Sequence, residues 1–290
     1  NLKLTRKYYT EDMPDGRVKH IVQNITDPDI VPYIPDGIGN STDRQRIPAV
    51  LIIPGGAFRR LVYNFEGEDV AKWLNSMGIA AFVLECRLPS DEHDNAEDVP
   101  LIDAMRAMRV IRGRAQEFGI DEAKIGVMGF SAGGFMAALL STAYESDVYA
   151  DYKYKDEYDK LSARPDFAVC SYPVISIDDC IEAGKRYMSE EQVLERISDS
   201  KAKILHKYNP DKLVRLDMPP VFICETDDDR TTLSENSVGF YMAARKAGVS
   251  AELHIFRTGG HGYGCGDDFA QTGEWKVLFT KWIKSIGIIS

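Results

Sequence analysis

The stretch Lys124-Ile125-Gly126-Val127-Met128-Gly129-Phe130-Ser131-Ala132-Gly133-Gly134 decides how the rest of the chain is read. Lys124–Met128 has the pattern of a short buried strand, and Ala132–Ala143 that of a buried helix. Between them the chain must turn from strand to helix within Gly129-Phe130-Ser131-Ala132-Gly133. Glycine suits positions 129 and 133 because side chains there would collide with the neighbouring strand and helix, and Gly134 adds room. Such a turn pushes Ser131 up at the C-terminal edge of a sheet, beside a helix N-terminus that favours developing negative charge. Ser131 is therefore the candidate nucleophile and the Ala132 amide a candidate oxyanion donor. A glycine-rich helix start without catalysis is the bland alternative.

Outward from this turn the pattern alternates. Strand Ala49–Ile53, helix Gly67–Ser76, strand Ile79–Glu85 and helix Leu101–Phe118 precede it, and strand Phe167–Ser171 follows. Strand Val221–Glu225, helix Leu233–Ala247, strand Ala251–Phe256 and helix Gly273–Ile286 complete the series. Apolar strands separated by amphipathic helices predict an α/β fold, a mostly parallel doubly wound sheet with helices on both faces. Leu2–Thr10 and Arg17–Ile25, with Asp15-Gly16 between them, predict an N-terminal hairpin within residues 1–26. Asp27–Arg46, rich in Pro, Gly and Asn, reads as a loop. Tyr172–Pro219 interrupts the alternation with helix-like stretches Ser189–Ile197 and Ala202–Tyr208, and predicts a small lid insertion. Tyr144–Ser162 is acidic and carries Tyr144, Tyr149, Tyr152, Tyr154 and Tyr158, so it reads as a solvated surface segment, with carbohydrate stacking as the alternative. All of this fits one domain over residues 1–290.

Composition narrows the partners. A net charge of -10 without a basic patch argues against nucleic acid. No apolar run approaches the roughly 20 residues of a membrane span, so a soluble chain is expected. Cys86, Cys170, Cys180, Cys224 and Cys265 are odd in number and lack CxxC spacing, which predicts buried free thiols and a cytoplasmic, reducing compartment. Because the chain starts at Asn1, a secreted or periplasmic destination stays open, as does assembly into a homo-oligomer. Asn24-Ile25-Thr26 and Asn40-Ser41-Thr42 match the glycosylation acceptor pattern, which is too common to decide anything.

Two further strand ends carry candidate chemistry. Pro54-Gly55-Gly56-Ala57-Phe58 follows the first core strand, where adjacent glycines let backbone N–H groups turn inward, so the Gly56 and Ala57 amides are candidate oxyanion donors; a plain turn is the alternative. Gly259-Gly260-His261-Gly262 follows strand Ala251–Phe256, which sets His261 at the same sheet edge as Ser131. His20, His93, His206 and His254 lack that placement. A carboxylate is then needed to orient the histidine, and Asp227, Asp228 and Asp229 stand in a row after strand Val221–Glu225. The residues alone leave the choice among the three open.

Together these motifs resemble the α/β-hydrolase superfamily, and within it the small esterases similar to acetyl xylan esterases. Glu66-Gly67, Phe82-Val83-Leu84-Glu85-Cys86-Arg87-Leu88, Pro100-Leu101-Ile102-Asp103-Ala104-Met105-Arg106-Ala107 and Pro219-Pro220-Val221-Phe222 extend the match from about Pro48 onward. The family acid lies in a D-x-x-V-P pattern, and laying Asp229-Arg230-Thr231-Thr232-Leu233 on it selects Asp229, with Asp228 in reserve. Glu235-Asn236-Ser237 matches the family's downstream E-N-S in that register, and Arg87 and Asp103 match positions that hold loops around the site. Pro54 and Ala57 depart from the HGGG form of the oxyanion loop, Cys86 from a tyrosine, Glu225 from a histidine and Leu233 from a proline.

The resulting expectation is a serine ester hydrolase with Ser131, Asp229 and His261 as the catalytic residues and the amides of Gly56, Ala57 and Ala132 as the oxyanion hole. It needs no metal and no organic cofactor. The resemblance implies short acyl groups, chiefly acetyl, on small-molecule or oligosaccharide esters such as xylo-oligosaccharides. A peptidase of the prolyl oligopeptidase type and a non-catalytic binding protein on a hydrolase fold are the competing readings.

Overall fold

The computed structural model describes residues 4–38, 46–91, 93–150, 152, 155–186, 189, 191–192, 202–266 and 271–290. Asn40-Ser41-Thr42, Tyr154, the side chain of Cys180 and most of Ser189–Ile197 lie outside the described residues.

In chain order the strands are β1 (Lys7–Asp12), β2 (Val18–Gln23), β3 (Asp29–Tyr33), β4 (Ile47–Ile53), β5 (Leu61–Val62), β6 (Ala80–Glu85), β7 (Ile120–Phe130), β8 (Ala168–Ser171), β9 (Val221–Thr226) and β10 (Ala251–Phe256). The helices are α1 (Asp69–Ser76), α2 (Val99–Gly113), α3 (Ala115–Phe118), α4 (Ala132–Ala143), α5 (Ile177–Lys185), α6 (Ala202–Lys207), α7 (Ser234–Lys246) and α8 (Glu274–Ser285).

The main sheet runs β10-β9-β8-β7-β4-β6-β3, parallel throughout except for β3, which pairs antiparallel with β6. Alternation along each strand sends side chains to opposite faces. Leu51, Phe82 and Val127 join a core with Met108, Leu139 and Phe240 of α2, α4 and α7. Val50, Val83 and Met128 join a second core with Leu74 of α1 and Trp275 and Phe279 of α8. Apolar residues on both faces of β4 and β7 are what a sheet covered by helices on each side demands. This is the α/β-hydrolase fold. A small sheet of order β1-β2-β5 stands beside it, and the β1–β2 hairpin turns at Gly16, whose φ of 84° is left-handed.

Two sequence expectations are corrected. Asp27–Arg46 contains β3, a strand masked by Pro28, Pro32 and Pro35; on the sheet's last strand a proline's missing N–H costs no ladder bond. The tyrosine-rich segment is not a solvated face: Tyr144 and Tyr149 are buried. Tyr149 stacks on Tyr152 with centroids 5.1 Å apart, and the Arg109 guanidinium lies 4.0 Å over the Tyr149 ring. Packing against α2 explains the apolar rings, and the acidic residues pair with its arginines, as Asp156 and Asp159 do with Arg106.

Cys86, Cys170, Cys224 and Cys265 are buried and none is in a disulfide among the described residues. Among the described residues no helix is long and apolar enough to cross a membrane. Arg87 ties the loop after β6 to helix α2: the guanidinium is bidentate to the buried carboxylate of Asp103, which also accepts the Arg87 amide at 2.8 Å.

Candidate active site

The site forms where β4, β7, β8, β9 and β10 end. Strand β7 gives way to α4 at Ser131, whose backbone sits at φ 54°, ψ −117°, a left-handed conformation costing on the order of 1–3 kcal/mol in a non-glycine residue. Close packing enforces the turn. A Cβ on Gly129 would stand 1.9 Å from the Gly133 carbonyl oxygen, and one on Gly133 would stand 1.9 Å from that of Ile53. The Ser131 amide is pinned to the Ser171 carbonyl at 3.0 Å, which ties the turn to the end of β8.

His261, on the loop after β10, accepts the Ser131 hydroxyl at Nε2, 2.8 Å from Oγ. Its other nitrogen, Nδ1, lies 2.6 Å from Asp229 Oδ2. Asp229 is 2 % exposed. Its Oδ1 accepts the amides of Thr231 at 2.6 Å and Thr232 at 3.0 Å, while the Thr232 hydroxyl donates to Oδ2 at 2.9 Å. Burial would push this carboxyl up, but the hydrogen bond and charge of His261, with the two threonine amides, outweigh burial and hold it below the usual range. An ionised Asp229 keeps the proton on Nδ1, which leaves the Nε2 lone pair for Ser131.

The other two carboxylates differ. Asp227 is exposed, and Asp228 accepts the amides of Gly259 at 3.0 Å and Gly260 at 2.8 Å, holding the loop that carries His261. The structure thus brings Ser131, His261 and Asp229 together, with Asp228 one step behind.

The loop after β4 runs against Ser131. A Cβ on Gly55 would stand 2.9 Å from Ser131 Cβ and 2.5 Å from the Phe130 carbonyl oxygen. The backbone then enters left-handed space at Gly56 (φ 142°) and at Ala57 and Phe58 (φ 57° and 58°). The Gly56, Ala57 and Ala132 amides donate to no acceptor among the described residues. Unpaired amides beside the candidate nucleophile, those of Gly56 and Ala57 on backbone of positive φ and that of Ala132 at a helix start, suit the capture of an oxyanion.

Two residues that sequence reasoning gave no role stand behind this loop. Glu66 is buried; its Oε2 accepts the Gly55 amide at 2.8 Å and its Oε1 accepts the Tyr172 hydroxyl at 2.9 Å. The Tyr172 oxygen in turn accepts the Gly264 amide at 3.0 Å, and its ring packs edge-on to His261 with centroids 5.0 Å apart. One carboxyl therefore joins the loops that carry Gly55 and His261 to the end of β8. Burial pushes Glu66 above its ordinary pKa against the opposing pull of His261, Tyr172 and Gly55. The dipeptide Glu66-Gly67 was visible in the sequence, but nothing there named its partners. Glu225 is also buried, and burial, then the charge of Asp229, push its carboxyl well above the ordinary range. Among the described residues no group of three or more His, Cys, Asp or Glu side chains is placed to hold a metal.

Comparison with known proteins is consistent with this geometry. The family model BD-FAE matches residues 38–243. An acetylxylan esterase of Xylanibacter ruminicola is 31% identical over 240 residues, covering 82% of this chain and 45% of that protein. Endo-1,4-beta-xylanase B of Butyrivibrio fibrisolvens is 29% identical over 269 residues, 90% of this chain and 40% of that protein. The chain thus spans less than half the length of both relatives. The crystal structure of the acetyl ester-xyloside bifunctional hydrolase from Caldicellulosiruptor lactoaceticus superimposes with a TM-score of 0.74 at 38% identity, covering 91% of this chain and 89% of that one.

Proposed function

Because the chain belongs to the BD-FAE family, we propose that it is a serine carboxylic-ester hydrolase that removes short acyl groups, acetyl above all, from carbohydrate such as xylo-oligosaccharides. The observation that carries the reading is the relay from Ser131 through His261 to Asp229, at 2.8 and 2.6 Å. In it Ser131 Oγ attacks the ester carbonyl as its proton passes to His261 Nε2, and the carbonyl electrons move onto oxygen. That oxyanion is met by the amides of Gly56, Ala57 and Ala132. Collapse of the intermediate expels the sugar hydroxyl, which takes the proton from His261 and leaves an acyl-serine. Water, deprotonated by the same nitrogen, attacks the acyl-serine, and carboxylic acid leaves with Ser131 restored. Asp229 stays ionised throughout and stabilises the imidazolium.

Two features support the short acyl group and the carbohydrate. A narrow, mostly apolar pocket behind Gly55-Gly56, lined by Phe58, Leu88, Pro100, Ala132 and Met136, adjoins the proposed oxyanion amides of Gly56 and Ala132, which supports a short acyl group. The Xylanibacter relative is named for acetylxylan and the Caldicellulosiruptor hydrolase for an acetyl ester and a xyloside.

Turnover of p-nitrophenyl acetate and butyrate, acetate release from acetylated xylan, and cleavage of an aminoacyl-proline amide, each beside Ser131→Ala, test the reading. Acetate should be preferred and the variant inert. Ester turnover that survives Ser131→Ala refutes the mechanism, and amide cleavage faster than ester cleavage would move the chain to the peptidases.

A further inference from the structure

Strand β10 ends the sheet. Its inner side pairs with β9, and among the described residues nothing pairs with its outer side. The Val221 amide donates to the Ser250 carbonyl and the Asp227 amide to the Phe256 carbonyl, so the backbone groups of even-numbered residues point inward. By alternation Ala251, Leu253 and Ile255 present both N–H and C=O to the free edge. Among the described residues the strand has no proline, lysine or bulge over Ala251–Phe256, its one acidic residue is Glu252, and Ile255 is 42% exposed. Helix α7, which packs over β9 and β10, exposes Val238 and Met242 one turn apart.

We propose that β10 is the seam of a two-fold dimer, in which it pairs antiparallel with β10 of a second copy of this chain, centred on Leu253. Side-chain complementarity selects both the occupant and the register. Only odd residues offer hydrogen bonds to the edge, so a two-fold axis must pass through a residue facing its own copy. Centred on Leu253, Ala251 and Ile255 exchange hydrogen bonds across the seam, as Leu253 does with itself. Glu252 then faces His254 of the second copy at the non-hydrogen-bonded positions, where side chains approach most closely. Within one chain these two side chains already hydrogen-bond, with His254 Nε2 2.7 Å from Glu252 Oε1. Shifting the axis to residue 252 would oppose glutamate to glutamate, and shifting it to 254 would oppose histidine to histidine. The strand is therefore complementary to itself in one register and mismatched in its neighbours.

Sedimentation velocity on the whole chain tests the seam. Wild type should run at about twice 32.5 kDa at roughly 10 µM, the range of a modest protein contact. Glu252→Lys and His254→Glu should each raise the dimer Kd about tenfold or more, since each turns both symmetric pairs from attraction to repulsion or loss. The double variant Glu252→Lys with His254→Glu should restore the dimer, because the swapped charges again face each other. Ile255→Lys should weaken it without touching the charge pair. Thermal melting of each variant shows that it is folded, and none of these residues belongs to the proposed catalytic machinery. A wild-type monomer across the concentration range overturns the proposal, as does a dimer indifferent to the single variants or one that the double variant fails to restore.

Discussion

Replacing Asp229 by Asn changes one atom that matters. The retained oxygen can still accept the Thr231 and Thr232 amides at 2.6 and 3.0 Å, so the turn keeps its anchor. The new NH2 group then occupies the Oδ2 position, 2.6 Å from His261 Nδ1. Two donors cannot share that contact, so the imidazole must present its lone pair at Nδ1 and carry its proton on Nε2. That proton points at Ser131 Oγ, 2.8 Å away, and the ring can no longer take the hydroxyl's proton. A wrong tautomer of this kind costs about 10⁴ in kcat, or about 5.5 kcal/mol of transition-state stabilisation. Asp228→Asn is the matched control. Among the described residues its carboxylate meets the amides of Gly259 and Gly260 through Oδ1, an oxygen that asparagine keeps, so kcat should fall by less than about tenfold. Initial rates on p-nitrophenyl acetate over a range of concentrations separate kcat from KM, and KM should change little in either variant. An Asp229→Asn enzyme within tenfold of wild type, or an Asp228→Asn enzyme that loses more than Asp229→Asn, would refute the assignment of the acid.

Glu66→Gln can keep an oxygen on the Gly55 amide only by turning its NH2 toward Tyr172, which leaves the tyrosine O–H without an acceptor in a buried site; urea denaturation should show a loss of about 1–3 kcal/mol, and kcat should fall while KM holds. If kcat is unchanged, the junction is structural only. Met136→Ala removes a buried wall of the narrow pocket behind Gly55-Gly56, and the ratio of butyrate to acetate turnover should rise; an unchanged ratio would place the acyl group elsewhere. The pKa of Glu225 is raised in the folded chain, so its contribution to stability is complete below about pH 4.3, the ordinary carboxyl range, and is lost as pH rises through the raised value. Glu225→Gln should flatten that decline, measured as unfolding midpoint against pH, and an identical slope in the variant would show that another group is responsible.

How far the sequence could be read follows from how local each signal is. Strands β4 and β7 are apolar on both faces, so a short window identifies them, and glycines that clear backbone within one turn mark Ser131 just as locally. Strand β3 was lost because its prolines mean loop in every setting but the rim of a sheet. Three consecutive aspartates look alike in a sequence, and the turn that carries the Asp229 amide back to the Thr226 carbonyl decides which one faces inward. Glu66 and Tyr172 are 106 positions apart, and no pattern in either neighbourhood announces the other. The tyrosine segment misled for a related reason: its acidic residues imply water, whereas the arginines that neutralise them lie on α2.

The strand order makes the sheet a ruler. Strands lie about 4.8 Å apart, so Ser131 at the tip of β7 and Asp229 beyond the tip of β9, with β8 between them, are separated by roughly 10 Å of sheet width. One imidazole with a hydrogen bond at each nitrogen bridges such a gap, and no shorter side chain does. Loops may therefore lengthen freely, as the segment between β8 and β9 does, because added residues leave the spacing untouched. A strand inserted between β7 and β9 would widen the gap by half again, and a single histidine could no longer close it.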